Sequence, residues 1–153
     1  MKPINYEQVL HRLAAYCSRG ERCMADVRKK MDAWDVSPSD QKKILSRLQK
    51  EDFLNEERYC KAFVNDKSKY SQWGAYKIKY ALMQKNIPEN IISDALQRIH
   101  PQETISRLNQ LLEKKKKTLK GNNEYEIKQK LMRFATGRGY TPEEIQKALD
   151  SKN

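Results

Sequence analysis

Val27-Arg28-Lys29-Lys30-Met31-Asp32-Ala33-Trp34-Asp35-Val36-Ser37-Pro38 decides the fold. Val27, Met31 and Trp34 fall at steps of four and three, the spacing of one helix face, with charge between them. The stripe then breaks and a new helix is announced. Ser37 is a good N-cap, Pro38 suits the first helical position, and Asp40 stands where a capping-box acid belongs. The same grammar returns twice. Ile78-x3-Leu82 and Ile127-x3-Leu131 repeat Val27-x3-Met31 at separations of 51 and then 49 residues, and a Pro-marked helix start follows each, at Pro88 and Pro142.

Further periodic segments surround this pattern. Tyr6, Val9, Leu10, Leu13, Ala14 and Cys17 form an apolar stripe before it, and Cys23 extends the second stripe backwards. Ile44, Leu45 and Leu48 follow the Ser37 cap. Asn55 can cap a helix running through Tyr59, Cys60, Phe63 and Val64, with Leu54 and Tyr59 placed as a hydrophobic staple. After Ile87-Pro88 comes a short helix with Ile91, Ile92 and Leu96. Pro101 opens the last third, whose Ile105, Leu108, Leu111, Leu112 and Leu119 stop at Gly121-Asn122-Asn123. Ile127, Leu131 and Phe134 resume it, and Thr141-Pro142-Glu143-Glu144 is a second Pro-bearing capping box before Ile145 and Leu149. The expected fold is all-α: an elongated tandem array of three three-helix repeats, at residues 1–52, 53–100 and 101–153.

Composition agrees. The 153 residues are 38% hydrophobic and 33% charged, thin for a single spherical core yet too apolar for a disordered chain. Five Gly and five Pro leave little turn material for a many-stranded β protein. No window approaches the roughly 18 apolar residues of a spanning helix, and Met1-Lys2-Pro3-Ile4-Asn5-Tyr6-Glu7 lacks a signal's apolar region. Cys17, Cys23 and Cys60 are odd in number and have no metal-ligand spacing; buried free thiols in a reducing cytoplasm are expected.

Lys and Arg number 31 against 20 Asp and Glu, a formal charge of +11, with both ends cationic and residues 51–101 nearly balanced. Such an excess seeks a polyanion or an acidic protein groove. Lys67, Lys69, Lys77 and Lys79 surround Tyr70, Trp73 and Tyr76; cations interleaved with aromatics can neutralise phosphates and stack on bases. The same residues also fit a plainer arrangement, lysines solvating a helix face and Trp73 packing under a turn. Chemistry finds no foothold. Glu56-Glu57 and Glu143-Glu144 sit in first helical turns, where acids suit the helix dipole, and neither His11 nor His100 has triad or metal-site neighbours. No Gly-rich phosphate loop occurs. No catalytic residue, metal or cofactor is expected.

Phe53-Leu54-Asn55-Glu56-Glu57-Arg58-Tyr59, then Ala62-Phe63-Val64, Trp73-Gly74 and Lys77-Ile78, resembles the central motif of the bacterial RecX regulatory proteins. Ser18-Arg19-Gly20-Glu21-Arg22-Cys23 with Asp26–Met31 resembles that family's first repeat. Lys130-Leu131-Met132-Arg133-Phe134 with Arg138-Gly139-Tyr140 resembles its third. The resemblance implies a non-enzymatic modulator of the RecA recombinase. Such a protein lies in the groove of the RecA–DNA filament and inhibits ATP hydrolysis, strand exchange and co-protease activity. The expected partners are the RecA filament and single- or double-stranded DNA, with no membrane, and a monomer is expected. Expected contact residues are Arg28, Lys29, Lys67, Lys69, Trp73 and Lys77, followed by Lys128, Lys130, Arg133 and Arg138. The rivals are a general basic helical DNA- or RNA-binding module without a recombinase target, and an interaction scaffold whose charge only keeps it soluble.

Overall fold

The computed structural model describes residues 5–121 and 123–151; Met1–Ile4 of the N-terminal stretch and Asn122 of the Gly121-Asn122-Asn123 stop lie outside the described residues. Among the described residues there is no strand, and the helices run in chain order: α1 (Tyr6–Ser18), α2 (Met24–Ala33), α3 (Pro38–Lys50), α4 (Glu56–Lys69), α5 (Ala75–Gln84), α6 (Glu89–Leu96), α7 (Pro101–Lys116), α8 (Glu124–Gly137) and α9 (Pro142–Asp150). The architecture is an all-α helical repeat.

Capping chemistry sets most of the starts. Ser37 accepts a bond from Asp40 N–H at 3.3 Å, Asn55 from Arg58 N–H at 3.0 Å, and Asn123 from Glu126 N–H at 2.9 Å. Thr141 and Glu144 close a reciprocal box, at 3.0 and 2.9 Å. Asn5 and Gln8 form another box, which the apolar pattern alone does not announce. Cys23 proves to be the residue before α2 rather than part of its face; its N–H donates to the Asp26 carboxylate at 3.2 Å.

The helix ends share a backbone device. Asp35, Asp52 and Gly139, each with positive φ, follow α2, α3 and α8. Beyond them Val36, Phe53 and Tyr140 N–H groups reach back to the carbonyls of Met31, Leu48 and Ala135, at 3.0, 2.9 and 3.2 Å. This is the Schellman arrangement, which satisfies carbonyls the helix leaves open and folds an apolar residue back over the last turn. Asp tolerates the left-handed region better than most side chains, so Asp35 and Asp52 serve where Gly would be expected.

By internal packing the chain divides into two compact units, Met1–Ala62 with Leu82–Ile92, and Phe63–Ala81 with Ser93–Asn153. In the first, α1 and α2 both pack on α3 around Val9, Leu13, Val27, Met31, Ile44 and Leu48, all at 1% exposure or less. In the second, α7 packs on α8 and α9 around Leu108, Leu111, Leu112, Leu131, Ala135, Tyr140, Ile145 and Ala148. Ile127, expected on the core stripe, lies partly buried at its edge. Cys17, Cys23 and Cys60 are free and buried. Desolvation drives the thiols of Cys23 and Cys60 up to about 11.

Candidate functional site

The second unit gathers Lys67, Trp73 and Lys77 into one cluster. Lys67 lies in the last turn of α4, Trp73 in the following turn, and Lys77 in the first turns of α5. The Lys67 and Lys77 ammonium groups stand 4.8 and 4.6 Å from the Trp73 ring centroid, and the Phe63 ring meets Trp73 edge-on at 6.4 Å. Each such contact with a half-exposed ring is worth roughly 0.5–1 kcal/mol. Trp73 is half-buried, as a packed residue would be, and at the same time has two cations beside its ring.

The turn carrying Trp73 is fixed by the turn between α8 and α9. Gly74 N–H donates to the Arg138 carbonyl at 2.7 Å, and Tyr76 N–H to the Gly139 carbonyl at 3.2 Å. The Arg138 guanidinium donates to the Ser71 carbonyl at 3.1 Å, and the Tyr140 hydroxyl to the Gln72 carbonyl at 3.0 Å. Gln72 has a φ of 56°, a costly conformation for that residue, and these bonds hold it there. Burial, and behind it the charge of Glu144, pushes the Tyr140 hydroxyl up to about 12, so it remains a donor. Only glycine fits where the two turns cross. A Cβ on Gly74 would overlap the Gly139 backbone, and Gly139 itself has a φ of 98°.

The other predicted contact residues are dispersed. Arg28 and Lys29 are exposed on α2 in the first unit, where they line a cleft of about 300 Å³ with Met24, Glu56 and Lys85. Glu56 accepts a bond from Met24 N–H at 3.1 Å; burial raises its pKa, against the opposing pull of that bond and of Arg28. Burial also opposes charge on Asp26, but Lys85 at 2.5 Å and the Cys23 N–H outweigh it and hold that carboxyl low. Lys69 is exposed at the end of α4, and Lys128 and Arg133 are exposed on α8. Lys130 donates to the Lys120 carbonyl at 2.6 Å. Arg138 is engaged with Ser71 and lies 5.0 Å from the Phe134 ring.

Two features were not visible from the motif. The cation–ring–cation arrangement recurs: Arg22 and Lys30 lie 4.1 and 5.1 Å from the Tyr16 ring, and Lys115 joins Arg138 over Phe134 at 4.9 Å. The positions of Tyr16 and Phe134 on apolar helix faces concealed this. The second feature is exposure. Tyr70, Tyr76 and Tyr80 are 79%, 65% and 66% exposed; the interleaving of Lys with Tyr was the available signal for the first two. Among the described residues, no group of three His, Cys, Asp or Glu is placed to hold a metal ion, and no helix is long and apolar enough to cross a membrane.

Short capped helices in repeated trios, with cations mounted on aromatic rings, define the class: an all-α helical-repeat protein with a cationic, aromatic-bearing surface. Residues 55–96 match the second three-helix domain of RecX, and residues 102–149 match its third. The chain belongs to the RecX family, a family of regulatory proteins. The regulatory protein RecX of Clostridium perfringens is 36% identical over 101 residues, 65% of this chain and 47% of that protein, so the chain spans about half the length of that relative. Its counterpart in Prosthecochloris aestuarii is 28% identical over 150 residues, covering 98% of this chain and 97% of the other. A crystal structure of RecX from Lactobacillus salivarius superposes with a TM-score of 0.85 at 21% identity, covering 94% of each chain. A second, of regulatory protein RecX, gives 0.89 at 23% identity over 95% of this chain and 73% of the other.

Proposed function

We propose that this chain binds the RecA–DNA filament and inhibits the recombinase, its ATPase and its co-protease activity, and so regulates DNA repair and recombination without performing a reaction itself. Membership in a family of regulatory proteins supports a recombinase filament as the partner. The observation that carries the reading is the Lys67–Trp73–Lys77 cluster, in which two ammonium groups stand within 5 Å of one partly exposed ring. Cations held in place lose less conformational freedom on meeting phosphates or an acidic protein surface than free lysines would. The three repeats, 1–52, 53–100 and 101–153, would each grip a part of the filament weakly. Their linkage would raise the total through effective concentration.

Cutting the chain near Pro101 is a poor test of that scheme. Residues 63–81 and 93–153 form one compact unit, so truncation would unmake it rather than subtract one grip. Charge reversal is cleaner. The experiment is a RecA ATPase assay on single-stranded DNA with substoichiometric protein, comparing wild type with Lys67→Glu/Lys77→Glu. Strong inhibition by the wild type and its loss in the folded double variant are expected. An inert wild type would refute the function; an equally inhibitory double variant would remove the cluster from it.

A further inference from the structure

Tyr76 and Tyr80 stand one turn apart on α5 and are exposed at 65% and 66%. Residues four apart share one helix face. That helix, AYKIKYALMQ, contains no acidic residue; Lys69 closes the preceding helix and Tyr70 follows it, both exposed. Two tyrosines on one exposed helix face in a cationic field offer a patch of amphipathic rings of the kind that interaction surfaces use. A partner with flat apolar faces and a negatively charged backbone matches both halves of the surface. Nucleic acid has both.

The spacing chooses between its forms. Four residues of helix rise about 6 Å. Successive bases in a duplex strand are about 3.4 Å apart, and their faces are occupied by one another. Side chains mounted about 6 Å apart along a helix axis therefore do not match the spacing of neighbouring stacked bases. They do match when the strand is drawn out and its bases are splayed, which unpaired strands allow.

We propose that the α5 face bearing Tyr76 and Tyr80 is a stacking ladder for two successive bases of an extended single DNA strand, with lysines of the adjoining surface neutralising its phosphates. This rests on the reading that the chain engages a DNA filament, and it specifies which state of the DNA the protein itself touches. The ladder makes the protein discriminate single strand from duplex without reading sequence, because every base has a face to stack.

The test is fluorescence anisotropy with full-length protein and two labelled probes, an oligo-dT strand and a hairpin duplex of equal nucleotide count. Tyr76→Ala/Tyr80→Ala is compared with Tyr76→Phe/Tyr80→Phe. Both positions are exposed and Ala favours helix, so circular dichroism should match the wild type. One lost base–ring stack weakens binding by roughly fivefold to a hundredfold. The Ala variant should lose at least about tenfold in oligo-dT affinity while duplex affinity changes less than about twofold, and the Phe variant should bind as wild type. Equal losses on both probes, undiminished oligo-dT binding by the Ala variant, or failure of the Phe variant would each overturn the ladder. So would an Ala variant that binds oligo-dT normally but no longer inhibits the RecA ATPase, which would make the face a protein contact. Failure of the wild type to inhibit the ATPase strikes the proposed function instead, and leaves the two-probe comparison readable.

Discussion

Replacing Gly74 with Ala should be among the most damaging single-methyl changes available in this chain. The added Cβ would lie 2.7 Å from Tyr140 N and closer still to the Gly139 carbonyl, and both are backbone atoms that cannot swing aside. Relief requires the α4–α5 turn to withdraw from the α8–α9 turn. Withdrawal stretches four hydrogen bonds: Gly74 N–H to Arg138, Tyr76 N–H to Gly139, Arg138 to Ser71, and Tyr140 to Gln72. Three neutral bonds at about 1 kcal/mol each and one charged bond at about 1.5–3 kcal/mol bound the loss near 5 kcal/mol. Partial relaxation should leave about 3 kcal/mol, a large share of an ordinary domain stability of about 5–15 kcal/mol. At about 2–4 °C per kcal/mol for a chain of this size, the melting temperature should fall by roughly 10 °C. The assay is thermal unfolding followed by circular dichroism. Its control is Gly137→Ala at the end of α8, where a Cβ meets nothing within 4 Å. That change should be neutral or stabilise by up to about 1 kcal/mol through helix propensity. If Gly74→Ala melts within 2 °C of wild type, the two turns are not locked together by their backbones.

Other expectations follow from packing and charge. Ile44→Ala, at a fully buried position in the first unit, should cost about 2–5 kcal/mol in urea unfolding, and Ile44→Val markedly less. Two carboxyls should give acid stability opposite signs. The Asp26 pKa is lowered from 3.8 in the folded chain, so its contribution is complete above about pH 4 and is lost as pH falls through its folded value. The Glu56 pKa is raised from 4.5, so its contribution improves as pH falls through the interval above 4.5; Glu56→Gln should remove that gain and leave the lower limb. A pH series of denaturant midpoints that is flat in both intervals would contradict the assignment. Thiol titration at pH 8 should find Cys23 and Cys60 slow in the native protein and reactive in urea, because burial raises both to about 11; prompt native labelling would contradict their burial.

What could be read from the residues was what is local. Pro38, Pro101 and Pro142 each occupy the first position of a helix, and Ser37, Asn55 and Thr141 cap as their types suggest, because those signals act over three or four residues. Val27, Met31, Ile78 and Leu82 are fully buried, and Leu131 nearly so, as their spacing predicted. Devices that depend on distant partners were hidden. Gly74 looks like an ordinary break after α4 until Gly139 is placed against it, and nothing near Arg138 announces that its guanidinium serves Ser71. Asp35 and Asp52 carry left-handed turns that a reader expects of Gly, and Cys23 precedes its helix where a Ser or Thr would have been recognised. In the candidate site, the mixture of Lys with Trp and Tyr was legible. Its geometry was not, since which lysine reaches which ring depends on how the turn is held.

The two tryptophans have a practical consequence. Trp34 borders the core of the first unit with the Arg12 guanidinium 5.7 Å from its ring, whereas Trp73 sits between two ammonium groups in the second. A chain keeping one indole and carrying Phe at the other thus has a built-in lamp for one half of the molecule. Emission recorded from each lamp during the same denaturation would report whether the halves darken at one midpoint or in succession, with no foreign dye attached.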